Sequence, residues 1–345
     1  MRIADFIINR LNEKYGIKYV SLLTGNGALV LNDALGQNKN ITPICCHHEQ
    51  HCGYVALGMS KYTNKLSVVM TTTGCAATNA ITPLLAAYQD HTPILFLSGD
   101  INLKQTGRYH RLHNKINAKK IGNQEVDIIE IVKPITKYSV MVEDIRMVQY
   151  ELDKAIDIAL TPPFGPVWIN LPADISASLI NGIEMYYYNK PLSIDDINQK
   201  LDSISWRLKL NNDLQSYSRP LILAGNGVTL SGCREQFRQF VEKYQLPVTC
   251  TYGGIDLLDY NHPLFTGVIG LKGCRAGNFA IQNCNILLTL GACLNVPQVG
   301  YHWNKFADKA KKWVVDLDVE NHKKDFVKID EIIECELGEF FKYML

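Results

Sequence analysis

No stretch of the 345 residues approaches the ~18 consecutive apolar positions that a membrane-spanning helix needs. The start, Met1-Arg2-Ile3-Ala4-Asp5, also lacks the basic-then-apolar profile of a secretory signal. These two absences predict a soluble, unexported, cytoplasmic protein with no membrane partner. Charge of one sign is missing as well: 35 basic against 34 acidic side chains leave a formal net charge of +1. There is no basic excess to hold a phosphate backbone and no acidic tail, which speaks against nucleic acid as a partner. Low-complexity tracts and exact internal repeats are absent too, so solenoid and linker architectures are set aside. Cysteine is present but not arranged as a disulfide framework. Its ten positions, 45, 46, 52, 75, 233, 250, 274, 284, 293 and 335, are scattered and mostly sit in apolar runs, which reads as reduced, small hydrophobes.

What the chain does contain is a globular composition, 47% hydrophobic and 20% charged, at a length that suggests about two domains of ~150 residues each. Apolar runs alternate with helix-period stretches. Tyr19 to Leu23, Val68 to Thr72, Ile94 to Ser98 and Val167 to Leu171 read as buried strands; Ala28 to Gln37, His48 to Tyr62, Thr78 to Gln89 and Met147 to Ala159 read as helices. The pattern weakens from Ser176 to Leu214, which reads as a connector. A second rhythm follows, with strands at Pro220 to Ala224, Pro247 to Thr251, Ile286 to Leu290 and Lys312 to Leu317, and helices at Gly232 to Tyr244 and Ala276 to Asn283. The expectation is an α/β chain of two tandem Rossmann-like domains, each a parallel sheet with helices on both faces. The boundaries are placed at 1–180, a linker over 181–205, and 206–345.

The densest chemistry lies in Cys45-Cys46-His47-His48-Glu49-Gln50-His51-Cys52, at a strand-to-helix transition. Three readings compete there. Glu49 can simply be a carboxylate in a first helical turn, where it is worth ~0.3–1 kcal/mol against the helix dipole. His47 and His51, four apart, can hold a metal with the flanking thiols, although a zincin motif needs His where Cys52 stands. Or Glu49 is a buried acid aimed at a cofactor nitrogen. The run Thr71-Thr72-Thr73-Gly74-Cys75-Ala76-Ala77-Thr78-Asn79 bears on that choice. A strand ending in Gly and small residues lets a ligand approach backbone closely, and the same residues also make an ordinary capped turn.

Taken in order, Thr24-Gly25, His48-Glu49-Gln50, the run from Thr72 to Asn79, Asp90-His91-Thr92-Pro93, Leu97-Ser98-Gly99, Gly122-Asn123-Gln124-Glu125-Val126-Asp127-Ile128, Lys133-Pro134-Ile135-Thr136-Lys137-Tyr138 and Gly165-Pro166-Val167-Trp168-Ile169-Asn170-Leu171-Pro172 follow one family's blocks. The chain resembles thiamine-diphosphate enzymes of the acetolactate synthase (acetohydroxyacid synthase) type. Within that group it is similar to the acetolactate-synthase-like proteins of sugar and surface-polysaccharide gene clusters. The resemblance implies that the first domain binds the aminopyrimidine of thiamine diphosphate. It assigns the catalytic carboxylate to Glu49, places Gln124 near the reacting centre, and puts Gly25, Thr78 and Asn79 in cofactor-facing loops. The implied reaction transfers a two-carbon unit from pyruvate to a 2-keto acid or a keto sugar, with the cofactor as electron sink. Relatives carry Gly-Pro-Gly where this chain has Gly74-Cys75-Ala76; Cys75 gives up proline's fixed φ, and Ala76 disfavours the positive φ open to glycine.

The second domain resembles the family's central domain, which in several members carries FAD. The turn Gly225-Asn226-Gly227, with Gly270, Gly273 and Asp316, matches its ligand-facing blocks. As a dinucleotide fingerprint the turn is irregular, because four residues instead of two separate Gly227 from Gly232. Cys293 stands where flavin-binding relatives have Arg. The family also has a third domain, which the resemblance implies holds the diphosphate and Mg²⁺ through Gly-Asp-Gly followed by Asn. Neither Gly99-Asp100-Ile101-Asn102 nor Gly254-Ile255-Asp256 fits that pattern, so this domain is expected to be absent here. Three readings stay open. The chain is one component of an enzyme, as a homo-oligomer or with a partner chain that supplies the diphosphate-binding domain. It is a truncated, inactive binding or regulatory homologue. Or it is a dinucleotide-dependent oxidoreductase, a reading that lacks the strand-end acid expected about 20 residues after the glycine turn.

Overall fold

The computed structural model describes residues 1–190, 203–323 and 327–345, without the side chains of 203 and 204. It divides into two compact units, Met1–Pro191 and Leu192–Leu345. Part of the 181–205 stretch expected as a linker lies outside the described residues.

The first unit is built on six strands, β1 (Tyr19–Leu22), β2 (Thr42–Cys45), β3 (Ser67–Thr71), β4 (Ile94–Asp100), β5 (Tyr138–Met141) and β6 (Val167–Pro172). Their spatial order is β2-β1-β3-β4-β6-β5, and every pairing is parallel. Parallel neighbours require crossovers, and these are supplied by helices such as Leu29–Gln37, Glu49–Thr63, Ile81–Gln89 and Val148–Leu160. The central strands β3, β4 and β6 are buried along their whole length, and Phe96 stacks on Trp168 at 5.1 Å between them. The chain leaves β1 toward β2 on one side and returns to β3 on the other. This creates a switch point between the carboxyl ends of β1 and β3, where parallel sheets characteristically bind ligands.

The second unit repeats the plan with β7 (Pro220–Ala224), β8 (Val248–Cys250), β9 (Phe265–Val268), β10 (Ile286–Leu290), β11 (Lys311–Asp316) and β12 (Glu331–Glu334), in the order β12-β11-β10-β7-β8-β9 and again all parallel. Alternate residues feed two apolar clusters. Ile222, Leu288, Trp313 and Val315 face one, while Leu221, Leu223, Leu287 and Val314 face the other. Both faces are therefore covered, as expected for a parallel sheet. The closing helix, Leu337–Met344, packs Phe340 and Phe341 against Phe240 of the Arg234–Tyr244 helix. The switch point here lies between β7 and β10.

Three local expectations change. The helix expected from Thr78 to Gln89 is two pieces, Cys75–Asn79 and Ile81–Gln89, because Pro83 has no N–H to bond the Asn79 carbonyl and is tolerated only in a first turn. Residues Ser203–Ser216, read as the end of a connector, are helical: Leu210 and Leu214 are buried one turn apart and Trp206 stacks on Phe340. Ala76, expected to resist a positive φ, sits inside a helix and needs none; in that loop only Gly74 has one, φ +61°.

Candidate functional site

At the switch point of the first unit, four chain segments meet. The Thr24-Gly25 turn follows β1, and a side-chain carbon at Gly25 would collide with Thr72, so these two turns are in direct contact. The Ala28 N–H donates to Thr72 Oγ1 at 3.2 Å. Thr73 Oγ1 is buried over Gly27 and finds no hydrogen-bond partner among the described residues. Gly74 turns the chain with its positive φ, and the Gln124 carbonyl occupies the space its missing side chain leaves. Gln124 itself has φ +55° and an exposed side chain.

That turn starts the short Cys75–Asn79 helix, in which Thr78 Oγ1 donates to the Cys75 carbonyl at 2.8 Å. Asn79, at its end, reaches across to Glu49: Asn79 Nδ2 donates to Glu49 Oε2 at 2.9 Å. Glu49 is 7% exposed and opens the Glu49–Thr63 helix, which His48 caps by accepting the Gln50 N–H on Nδ1 at 3.1 Å. The helix amino terminus favours a carboxylate there. Its other oxygen, Oε1, takes no hydrogen bond from the described residues and is available to a ligand. The structure thus brings Gly25, Glu49, Thr78, Asn79 and the Gln124 backbone to one edge of one sheet. A buried carboxylate with one oxygen pinned and the other available, beside an orphaned threonine hydroxyl, fits an aminopyrimidine ring, which carries both donors and acceptors.

The metal reading of the same stretch gains nothing. Among the described residues no group of three or more His, Cys, Asp and Glu side chains is arranged to hold an ion. Burial, then the neighbouring Cys46 and Glu49, push the Cys52 thiol up to about 12, so it does not supply a thiolate at neutral pH.

One group that the sequence reading passed over is Asp100, considered only as a failed Gly-Asp-Gly. It ends β4 and is 2% exposed. Its Oδ2 accepts from Asn170 Nδ2 at 2.7 Å and its Oδ1 from the Ile101 N–H at 2.8 Å. Burial raises its carboxyl to about 6 against the lowering effect of those two bonds, and the charges of Glu125 and Asp127 push the same way.

In the second unit the Gly225 N–H donates to the Leu290 carbonyl at 2.9 Å and the Gly227 N–H to the Gly291 carbonyl at 3.0 Å, so the turns after β7 and β10 lie back to back. Side-chain carbons at Gly225 or Gly227 would fall on Gly291. Asn226 packs against Gly253 in the turn after β8. Asp316 ends β11, one strand beyond β10. Gly270 and Gly273 shape the turn after β9, where Asn278 bonds both the N–H and the carbonyl of Gly270. They therefore lie at the other side of the sheet order from Asp316. Both Asp316 oxygens already have protein partners, the Asp318 N–H on Oδ1 and His322 Nε2 beside Oδ2, each at 3.1 Å, and Cys293 supplies no guanidinium to pair with a diphosphate.

Comparison with known proteins gives two family matches. Residues 1–122 match "Thiamine pyrophosphate enzyme, N-terminal TPP binding domain", and residues 209–341 match "Thiamine pyrophosphate enzyme, central domain". Among curated relatives, the probable acetolactate synthase large subunit of Methanocaldococcus jannaschii is 30% identical over 324 residues, 92% of this chain and 51% of that protein. The acetolactate synthase large subunit of Lactococcus lactis is 31% identical over 84% of this chain and 48% of its own length. The isozyme 1 large subunit of Escherichia coli is 31% identical over 91% and 52%. The chain spans about half the length of the curated relatives it matches.

Proposed function

The chain belongs to the acetolactate-synthase-like thiamine pyrophosphate enzymes, of which it carries the N-terminal and central domains, and from that premise we propose that it is the aminopyrimidine-binding part of a two-carbon transferase. The donor is pyruvate or a similar 2-keto acid, and the acceptor a second 2-keto acid or a keto sugar. The observation that carries this reading is Glu49, buried, pinned by Asn79 on one oxygen and open on the other. Bound there, thiamine diphosphate would supply the electron sink for decarboxylation. Glu49 Oε1 would share a proton with the ring nitrogen of the aminopyrimidine, and the Asn79 bond would keep that carboxylate aimed. Gln124, on the loop locked against Gly74, would orient the reacting carbonyl. Diphosphate and Mg²⁺ would be held by a third domain, from a partner chain or from another part of the same protein, in a cytoplasmic homo-oligomer. FAD, if carried, would take its ribose contact at Asp316. Among the described residues no helix is long and apolar enough to cross a membrane.

The test is pyruvate consumption by the chain supplied with the diphosphate-binding domain, comparing Glu49→Gln with the parent. Gln keeps the volume and removes the proton acceptor, so turnover falls by about 100-fold or more, as for loss of a general acid–base group. Undiminished turnover in Glu49→Gln refutes the assignment.

A further inference from the structure

One turn beyond Glu49, on the same face of the Glu49–Thr63 helix, stands a buried glycine, Gly53. The chain opposite has the same spacing: Asn79, which bonds Glu49, precedes the buried Pro83 by four residues. A side-chain carbon at Gly53 would lie 2.2 Å from Pro83 Cγ and 2.6 Å from Pro83 Cβ. The Glu49–Thr63 helix therefore meets the Asn79–Pro83 stretch at two successive levels. At the first, Asn79 Nδ2 donates to Glu49 Oε2 at 2.9 Å; at the second, the proline ring packs on bare backbone.

Glycine inside a helix lowers its stability relative to alanine, and Gly53 has no positive φ that would call for it. What the position does call for is closeness. The contact cannot yield by a change of rotamer, because the pyrrolidine ring is closed onto its own backbone. Nor is there free space beside it, since the Phe96 ring stands 3.7 Å from the same point and the helix is tied to β1 where Ser21 Oγ donates to the Cys52 carbonyl at 2.8 Å. The 2.2 Å approach falls about 1.2 Å short of the 3.4 Å at which ordinary packing begins, so a methyl group at position 53 forces the two segments apart by about that much. One turn away, an opening of that size carries the 2.9 Å Glu49–Asn79 bond to about 4 Å, beyond hydrogen-bonding range. Pro83 acts on the same bond a second time, since its missing N–H ends the Cys75–Asn79 helix at the residue that donates.

We propose that Gly53 is a positioning residue for Glu49: its contact with Pro83 sets the separation at which Asn79 holds the carboxylate, and bulk at position 53 disarms that acid through the lost bond rather than through contact with a ligand. The inference rests on the Glu49 reading of the site.

The test is a double-mutant cycle on pyruvate turnover by the chain supplied with the diphosphate-binding domain. Gly53→Ala is expected to lower kcat about tenfold, the effect of losing one hydrogen bond to a charged group, with KM for pyruvate changed less than about threefold. Asn79→Ala should lower kcat by a similar factor, and the two together no further than Asn79→Ala alone, because both remove the same bond. Adding Pro83→Gly to Gly53→Ala takes away both ring carbons in the way and should restore kcat to within about threefold of the parent. Should Gly53→Ala not fold, Pro83→Gly loosens the contact from the other side, with a loss of about threefold that likewise vanishes in the Asn79→Ala background. Parental kcat in Gly53→Ala overturns the proposal, and so do losses that multiply in the double variant, the mark of a general packing defect. Glu49→Gln, assayed alongside, separates the two readings. If it is inactive while Gly53→Ala turns over like the parent, only the positioning role fails; if it is fully active, the Glu49 reading fails and this one with it.

Discussion

Replacing Asp100 with Asn should change how the first unit's stability depends on pH. Asp100 closes a buried chain: Trp168 Nε1 donates to Ser98 Oγ at 2.8 Å, Ser98 Oγ to Asn170 Oδ1 at 2.7 Å, and Asn170 Nδ2 to Asp100 Oδ2 at 2.7 Å. Burial lifts this carboxyl from 3.8 to about 6, so the folded state binds its proton more tightly than the unfolded chain does. The sign follows from linkage: the stabilisation is fully present below pH 3.8, is lost as pH rises to about 6, and is flat above that. A difference of about two units at ~1.4 kcal/mol each gives about 3 kcal/mol, undiscounted because the residue is 2% exposed. Asn cannot titrate, but it turns one acceptor toward the Asn170 amide into a donor, at a cost of ~1 kcal/mol. Asp100→Asn is therefore expected to be less stable than the parent near pH 4 and more stable by about 1–2 kcal/mol at pH 7, with the two profiles crossing between. Hydrogen exchange of the β4 amides at graded urea, from pH 4 to 7, reads this for the first unit. Subtracting the profiles cancels every other titrating group. Profiles that stay parallel to within about 0.5 kcal/mol refute the reasoning, since the raised carboxyl would then not be linked to folding.

Lys137 gives the opposite slope. Its Nζ donates to the Ile158 and Thr161 carbonyls at 2.6 and 2.5 Å, and burial lowers it from 10.5 to about 8. The unfolded chain holds this proton more tightly, so stability should rise as pH goes from about 8 toward 10.5. Lys137→Met should flatten that rise in urea titrations across the window, and a rise of equal size in the variant contradicts the assignment. Gly74→Ala and Gly16→Ala form a second comparison: both glycines have positive φ, +61° and +66°, but only Gly74 has the Gln124 carbonyl in the place of a side chain. Gly16→Ala should cost ~1 kcal/mol and Gly74→Ala at least ~2 kcal/mol more, measured by thermal melting; equal costs would mean that the Gln124 loop is not locked against the turn.

The alternation of apolar runs and helical stretches was enough to read two parallel-sheet units, because strands such as β3, β4, β7 and β10 are buried on both faces and therefore continuously apolar. The strands at the edges of each sheet were harder. β2 (Thr42-Pro43-Ile44-Cys45) and β12 (Glu331-Ile332-Ile333-Glu334) are short and partly exposed, so their sequences carry little apolar signal. The Pro83 interruption was readable in principle, since a proline eight residues after Cys75 limits where a helix can begin. Glu49 stood out because it follows two histidines at a strand-to-helix transition, but its bond to Asn79, thirty residues away, depends on the Glu49–Thr63 helix after β2 lying against the short Cys75–Asn79 helix after β3. Asp100 and His322 had no local signal at all. Each matters through partners brought by the sheet or by a turn: Asn170 by the β4–β6 pairing, and Asp316 by the turn at the end of β11.

The energetics of the first site indicate what else a thiamine-binding assembly must supply. A hydrogen bond to an ionised carboxylate such as Glu49 contributes ~1.5–3 kcal/mol, whereas micromolar binding requires about 8 kcal/mol. On the proposed reading, contact of the aminopyrimidine with Glu49, the Thr73 hydroxyl and the Gly25 and Gly74 backbones would therefore place the ring without holding the whole cofactor. The rest would come from burial of the ring and from charge-assisted contacts to the diphosphate and its cation. On the same reading, those contacts would be made by the diphosphate-binding domain. A site so divided gives the Glu49 side the task of aiming the ring and the other side the task of retaining it. On that division, Glu49→Gln should lower turnover far more than it lowers cofactor affinity, and removal of Mg²⁺ should do the reverse.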